Sequence, residues 1–340
     1  MKIQSSKIKS QLQTPLFWDL HIHGAAGVDF MHTDSKSVIK ALKILKSNGI
    51  GFIAPTLLTA TSKQFSDALL FWGNFLKNHS PRSLEKQGAA IPIGLHLEGP
   101  FLNPEASGAH PRSQLKNPSL ALLKTYIKLS QNQIAILTIA PELKGASEVI
   151  SFCKKYGIRV QIGHTTANAE LIEKARKLGA QGFTHLFNAM RISHRNPAAL
   201  KSLQTGKMTA ELITDCVHVD SSFLLFTINS LKNSLFAVSD ACSGTTLGDV
   251  NVEIKTNRDH LKAAYVYKTQ TLAGGASFLT EHPEYCLRLW KKSGHTIPNT
   301  KSFFELFYKT QSELFPDFKK YYKREKNAFS RSNWKCVNSC

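Results

Sequence analysis

Eight short apolar runs, each closing on polar or ionisable residues, constrain this chain more than any other feature. They are WDLHIH (18–23), GFIAPTLLT (51–59), IPIGLHLEG (91–99), IAILTIAPE (134–142), RVQIGHT (159–165), GFTHLFN (182–188), TAELITD (209–215) and LFAVSDA (235–241). Their Ile, Leu, Val and Phe content is what strands buried on both faces require. Between them the spacing turns helical. Over 168–179, Leu171, Ile172, Ala175 and Leu178 share one face, Glu170, Glu173, Lys174 and Lys177 point away, and Gly179 closes the helix. Alternating strand and helix without a hairpin signal predicts an all-parallel sheet. Eight repeats favour an α/β fold closed into a (β/α)8 TIM-type barrel, with an open doubly wound sheet as the alternative. The chain has 340 residues and 42% hydrophobic composition, and one barrel of roughly 250 residues uses most of it. The expected organisation is an N-terminal extension over 1–16, the barrel over 17–290 and a basic, aromatic, helical segment over 291–340.

The formal net charge of +19 asks for an anionic counterpart, whether nucleic acid, a membrane surface or a small substrate. The densest basic stretch with interleaved aromatics is Lys319, Lys320, Tyr321, Tyr322, Lys323, Arg324 and Lys326. Such a pattern can grip phosphates, but it reads first as a solvated helix face or tail. The N-terminal MKIQSSKIKSQLQTP is basic without an apolar stretch, and nothing elsewhere approaches the roughly 20 apolar residues of a membrane span. Neither a secretion signal nor a membrane partner is expected. The six cysteines, Cys153, Cys216, Cys242, Cys286, Cys336 and Cys340, are scattered, which suits reduced thiols and a cytoplasmic location.

In a barrel of this kind reactive groups stand at the carboxyl ends of the strands. His21 and His23 close the first run two residues apart, and a strand's period of two points both side chains the same way. Such a pair can share a metal, or can equally be two hydrogen-bonded histidines. Glu98 ends the third strand, His164 the fifth and His185 the sixth. Three ligands with an open position for water is the arrangement of a catalytic zinc site. Asp240, in AVSDA at the end of the eighth strand, can move protons at the barrel mouth or simply cap the next helix. His218, in TDCVHVD, can polarise a carbonyl or serve as an ordinary loop histidine. Asp215 and Asp220 flank it and read as structural, and His96 is expected deeper, supporting Glu98.

Together the segments DLHIHG (19–24), GLHLEGPFLNPEASGAHP (94–111), IGHTTA (162–167), THLFNAM (184–190), HVD (218–220), SDA (239–241) and TLAGG (271–275) resemble the N-acetylglucosamine-6-phosphate deacetylases of the amidohydrolase superfamily. HLEGPF and THLFNAM are the specific motifs, and the resemblance runs from residue 19 to about 280. It implies that Glu98, His164 and His185 bind the catalytic divalent metal, zinc or iron, and that His21 and His23 complete a second site where one exists. It further implies that Asp240 is the acid/base, that His218 orients the acetamido carbonyl, and that His110, Asn188, Ala189 and Arg195 lie near the sugar phosphate. The implied activity is hydrolysis of an acetamide on a phosphosugar, with a homodimer left open and nucleic acid disfavoured as a partner.

The sequence also departs from the family. It reads as lacking the small β-sandwich, with no strands before the barrel and no PGKxADLVV-like strands after it. Arg191 stands where proline usually follows NAM, and Arg112 follows ASGAHP. Three functions therefore stay open: N-acetylglucosamine 6-phosphate deacetylation, hydrolysis of N-acetylgalactosamine 6-phosphate or another amide, and an inactive barrel acting as a basic binding protein.

Overall fold

All eight apolar runs form parallel strands: β1 (Phe17–Ile22), β2 (Ile50–Leu58), β3 (Leu95–Glu98), β4 (Ile134–Ile139), β5 (Arg159–Ile162), β6 (Ala180–Phe183), β7 (Thr209–Ile213) and β8 (Leu235–Val238). The computed structural model describes residues 11–191, 197–244, 246–247, 250–296, 299–321 and 326–330. Each strand pairs with the next in sequence order, and a two-residue strand at Ile91–Pro92 adds to β2. The barrel closes where Asp240 N donates to His21 O (3.0 Å) and His23 N to Ala241 O (2.8 Å). β1 and β2 are buried along their whole length, because helices cover the outside while side chains fill the inside.

The outer layer consists of α1 (Ser35–Ser47), α2 (Ser62–Asn78), α3 (Leu120–Leu129), α4 (Ala146–Tyr156), α5 (Ala169–Leu178), α6 (Ala198–Gln204), α7 (Ser221–Leu231) and α8 (His282–Lys292). Their starts are written locally. Asp34 accepts from Lys36 N and Ser37 N at α1, Thr61 and Gln64 form a reciprocal box at α2, and Asn168 accepts from Leu171 N at α5, satisfying donors that a helix start leaves open. Gly179 ends α5 with φ +130°. The face predicted for α5 buries Ile172 and Ala175 most deeply.

The structure corrects two expectations. Between β8 and α8 lies an antiparallel sheet, Thr246–Leu247, Val250–Thr256, Lys262–Val266 and Leu272–Gly275, where no hairpin was expected. Its longest strand buries only Val252, so no apolar alternation marks it in sequence. A strand also precedes the barrel: Gln11–Pro15 pairs antiparallel with Lys326–Ser330, in a region expected to be helical. Ahead of that C-terminal strand, Phe303, Phe304 and Phe307 are buried, and Phe307 stacks on Phe17 at 4.8 Å. Gln311 reaches in from the same side, donating to Leu306 O (2.8 Å) and Ala237 O (3.2 Å). Among the described residues no helix is long and apolar enough to cross a membrane.

Candidate metal centre and active-site cleft

The strand ends deliver their polar side chains to one cleft, lined among others by His23, Glu98, His164, His185, His218 and Asp240. Glu98 is its hub. One carboxylate oxygen, Oε1, lies 3.1 Å from His164 Nε2 and 2.9 Å from His185 Nε2, and these two nitrogens are 3.0 Å apart. The other, Oε2, lies 3.4 Å from His21 Nε2 and 3.2 Å from His23 Nε2. The His21 and His23 nitrogens are 3.2 Å apart, and Asp240 Oδ1 is 3.3 and 3.1 Å from them. The strand period thus does bring His21 and His23 to one point.

These spacings test whether the residues fit an ion. Donors at about 2.0–2.1 Å from a tetrahedral zinc sit roughly 3.3 Å from one another. Both donor groups match that separation, with Glu98 giving one oxygen to each. The donor chemistry, imidazole nitrogen with carboxylate oxygen, suits zinc or iron. His164 Nδ1 lies 2.8 Å from Ala106 O, and His23 Nδ1 lies 3.2 Å from Thr56 O. Both rings are thereby turned so that Nε2 faces the cluster. Burial pushes the Glu98 carboxyl up, but the facing histidines, His21 foremost, hold it well below the usual carboxylate range.

Several of these residues occupy unusual backbone. His164 (φ +48°), His185 (+28°), Ala189 (+49°) and Asp240 (+52°) all lie in the left-handed region, which costs an L-residue about 1–2 kcal/mol. Neighbouring bonds retain them there: Thr165 N donates to Ala189 O (3.1 Å), and Asp240 N is tied to the first strand at the barrel seam. Such concentration of strain marks a site whose geometry is imposed by its surroundings.

The remaining predicted residues that the structure describes fall around this centre. His218 is 2.7 Å from Asp215 through Nδ1, leaving Nε2 for the cleft. Burial opposes charge on the ring, but Asp215 outweighs it and raises His218 above its ordinary value, while Asp215 is drawn down to about 2. His110 lies beside Glu98 Oε2 (3.3 Å) and Thr59 Oγ1 (3.0 Å). Asn188 and Ala189 line the cleft, with Asn188 Nδ2 donating to His185 O at 3.3 Å. Arg195 lies outside the described residues. His96 is buried deeper, bonded to Leu20 O and Thr138 Oγ1, and packs on His21 (ring centroids 4.6 Å).

Sequence reasoning passed over Glu211. It is fully buried in β7 and lies 2.9 Å from His21 Nδ1. An ionisable residue inside an otherwise apolar strand, TAELI, was the available signal.

A parallel barrel with histidines and carboxylates gathered at its mouth is the architecture of metal-dependent amidohydrolases, and comparison with known proteins narrows the class. No family model matches the chain. It is 31% identical over 303 residues to the N-acetylglucosamine-6-phosphate deacetylase of Caenorhabditis elegans, covering 84% of this chain and 70% of that protein. It is also 31% identical over 243 residues to the N-acetylgalactosamine-6-phosphate deacetylase of Escherichia coli O157:H7, covering 71% and 62%. In fold it is similar to the N-acetylglucosamine-6-phosphate deacetylase of Pasteurella multocida, with a TM-score of 0.79 at 22% identity over 96% of this chain and 84% of that one. The chain belongs to the N-acetylglucosamine-6-phosphate deacetylase family.

Proposed function

We propose that this chain hydrolyses the acetamide of N-acetylglucosamine 6-phosphate to acetate and glucosamine 6-phosphate, a step of amino-sugar breakdown. The observation that carries this reading is the convergence of Glu98, His164 and His185, at or just past the carboxyl ends of three different strands, to within 3.1 Å of one another. The relatives' names supply the substrate class.

In this reading Glu98, His164 and His185 hold a divalent ion, zinc before iron. His21 and His23, with Asp240 and the second Glu98 oxygen, offer a second position. A bound ion acidifies water and polarises the amide carbonyl. Asp240 takes the proton that water loses on adding to the carbonyl carbon, then returns it to nitrogen as the C–N bond breaks. The amine leaves neutral and acetic acid carries the new oxygen, ionising to acetate as its proton passes to solvent or to the released amine. His218, whose ring Asp215 biases toward the protonated form, donates from Nε2 to the carbonyl oxygen as its charge grows. His110, Asn188, Ala189 and Arg195 are assigned to the sugar phosphate, where a guanidinium can bind two oxygens.

N-acetylgalactosamine 6-phosphate is a second candidate, because the bacterial relative that acts on it is equally similar at 31% identity. We further place the enzyme in the cytoplasm. The described cysteines Cys153, Cys216, Cys242 and Cys286 are free and buried, which suits a reducing compartment. Acetate release from both phosphosugars, with unphosphorylated N-acetylglucosamine as control, tests the assignment alongside metal analysis. Turnover of one phosphosugar and not of the control is expected. Turnover confined to unphosphorylated or cyclic amides would reject it.

A further inference from the structure

We propose that Glu211 is a positioning residue that fixes the ring of His21 and the main chain at His185 at once, and so couples the two donor groups that Glu98 joins. The inference rests on the metal reading above and assigns a task to a side chain outside both groups.

Glu211 makes contacts through three of its oxygens. Its Oε2 lies 2.9 Å from His21 Nδ1 and accepts from His185 N at 3.2 Å. Its Oε1 accepts from Gln161 Nε2 at 2.5 Å, and its main-chain oxygen accepts from Leu186 N at 2.8 Å. A main-chain N–H can only donate, so Oε2 is an acceptor. His21 Nδ1 must then carry its hydrogen. In the neutral ring this leaves the lone pair on Nε2, the atom that lies 3.2–3.4 Å from His23, Asp240 and Glu98. A carboxylate behind a ligating imidazole selects its tautomer and increases its basicity.

The second contact acts on the other donor group. His185 has φ +28°, and the side chain and main chain of Glu211 grip residues 185 and 186 in turn. One residue of β7 therefore orients a donor on β1 and holds the strained turn that presents a donor after β6. The half-buried guanidinium of Arg159 offsets its charge.

A merely structural buried carboxylate would stabilise ion-free and ion-loaded protein alike. The full chain and its Glu211→Gln variant, which keeps the shape and removes the charge, are titrated with Zn²⁺ against a competing chelator. Melting temperatures are recorded with and without the ion. The expected result is a 10- to 100-fold weaker Zn²⁺ affinity, with a smaller ion-induced rise in melting temperature measured from whatever ion-free value the variant shows. Glu211→Asp, which keeps the charge but withdraws the acceptor from His21, should be intermediate and serves if the Gln variant does not fold. Wild-type affinity in either folded variant overturns the proposal, as does a loss confined to the ion-free melting temperature. A wild-type chain that binds no Zn²⁺ overturns the metal reading itself, and this proposal with it.

Discussion

Asp240 answers two demands at once, because its Oδ1 touches both His21 and His23 while its position at the cleft suits proton transfer. Asparagine keeps its shape and removes its basicity. Asp240→Asn is therefore expected to lower acetate release about 10²–10⁴-fold, with the Glu98, His164 and His185 ion retained on metal analysis; a variant of near-wild-type rate would sink the assigned role. Asp215 works one residue back. Its replacement by asparagine weakens the 2.7 Å grip on His218 and removes the charge that biases the ring toward its protonated form, so kcat is expected to fall more than 10-fold with KM little changed. At this scale the sequence was informative wherever a polar side chain ended an apolar run, as at Glu98, His164, His185 and Asp240. It was silent about Glu211, whose importance depends on strands that are neighbours only in the closed barrel. Asp215 reads as structural from sequence but pairs with His218 at 2.7 Å, because a three-residue spacing alone cannot distinguish a cap from a charge partner.

Elements carry the site as well as the fold. Gly163, the residue before His164, has no room for a side chain: an added Cβ would meet Thr184 Cβ at 2.7 Å and Thr138 Cγ2 at 2.8 Å. Gly163→Ala is expected to cost about 1–3 kcal/mol in denaturant unfolding and to weaken metal binding by displacing His164. Helix α8 begins with His282, fully buried between Thr214 Oγ1 (3.0 Å) and Ser277 Oγ (3.1 Å). Burial depresses this imidazole from 6.5 to about 4. Because the folded state holds it neutral while the unfolded chain protonates near 6.5, its contribution is complete above pH 6.5 and is lost as pH falls toward 4. By the usual conversion that amounts to about 3 kcal/mol. Melting curves should show His282→Gln flattening the wild-type decline between those values; an unaltered slope would contradict the assignment. The eight barrel strands were legible because burial on both faces writes itself as apolar runs. The sheet at 246–275 and the terminal ribbon were not, since exposed or edge strands need no such pattern.

For the molecule as a whole, ligand linkage connects metal to stability. An ion at 100 times its dissociation constant adds about 2.7 kcal/mol, which in a chain of this size raises the melting temperature by a few degrees. Chelation followed by scanning calorimetry should reverse that gain, and equal melting temperatures with and without chelator would show that no ion is held. The barrel seam gives this linkage a further meaning. His21 and His23 belong to the opening strand, whereas Asp240 follows the closing one and is tied to His21 by the main-chain bond across the seam. An ion seated there would act as a buckle between ends of a loop of more than two hundred residues, so a chain emerging from the ribosome could not fasten it until its eighth strand had been made.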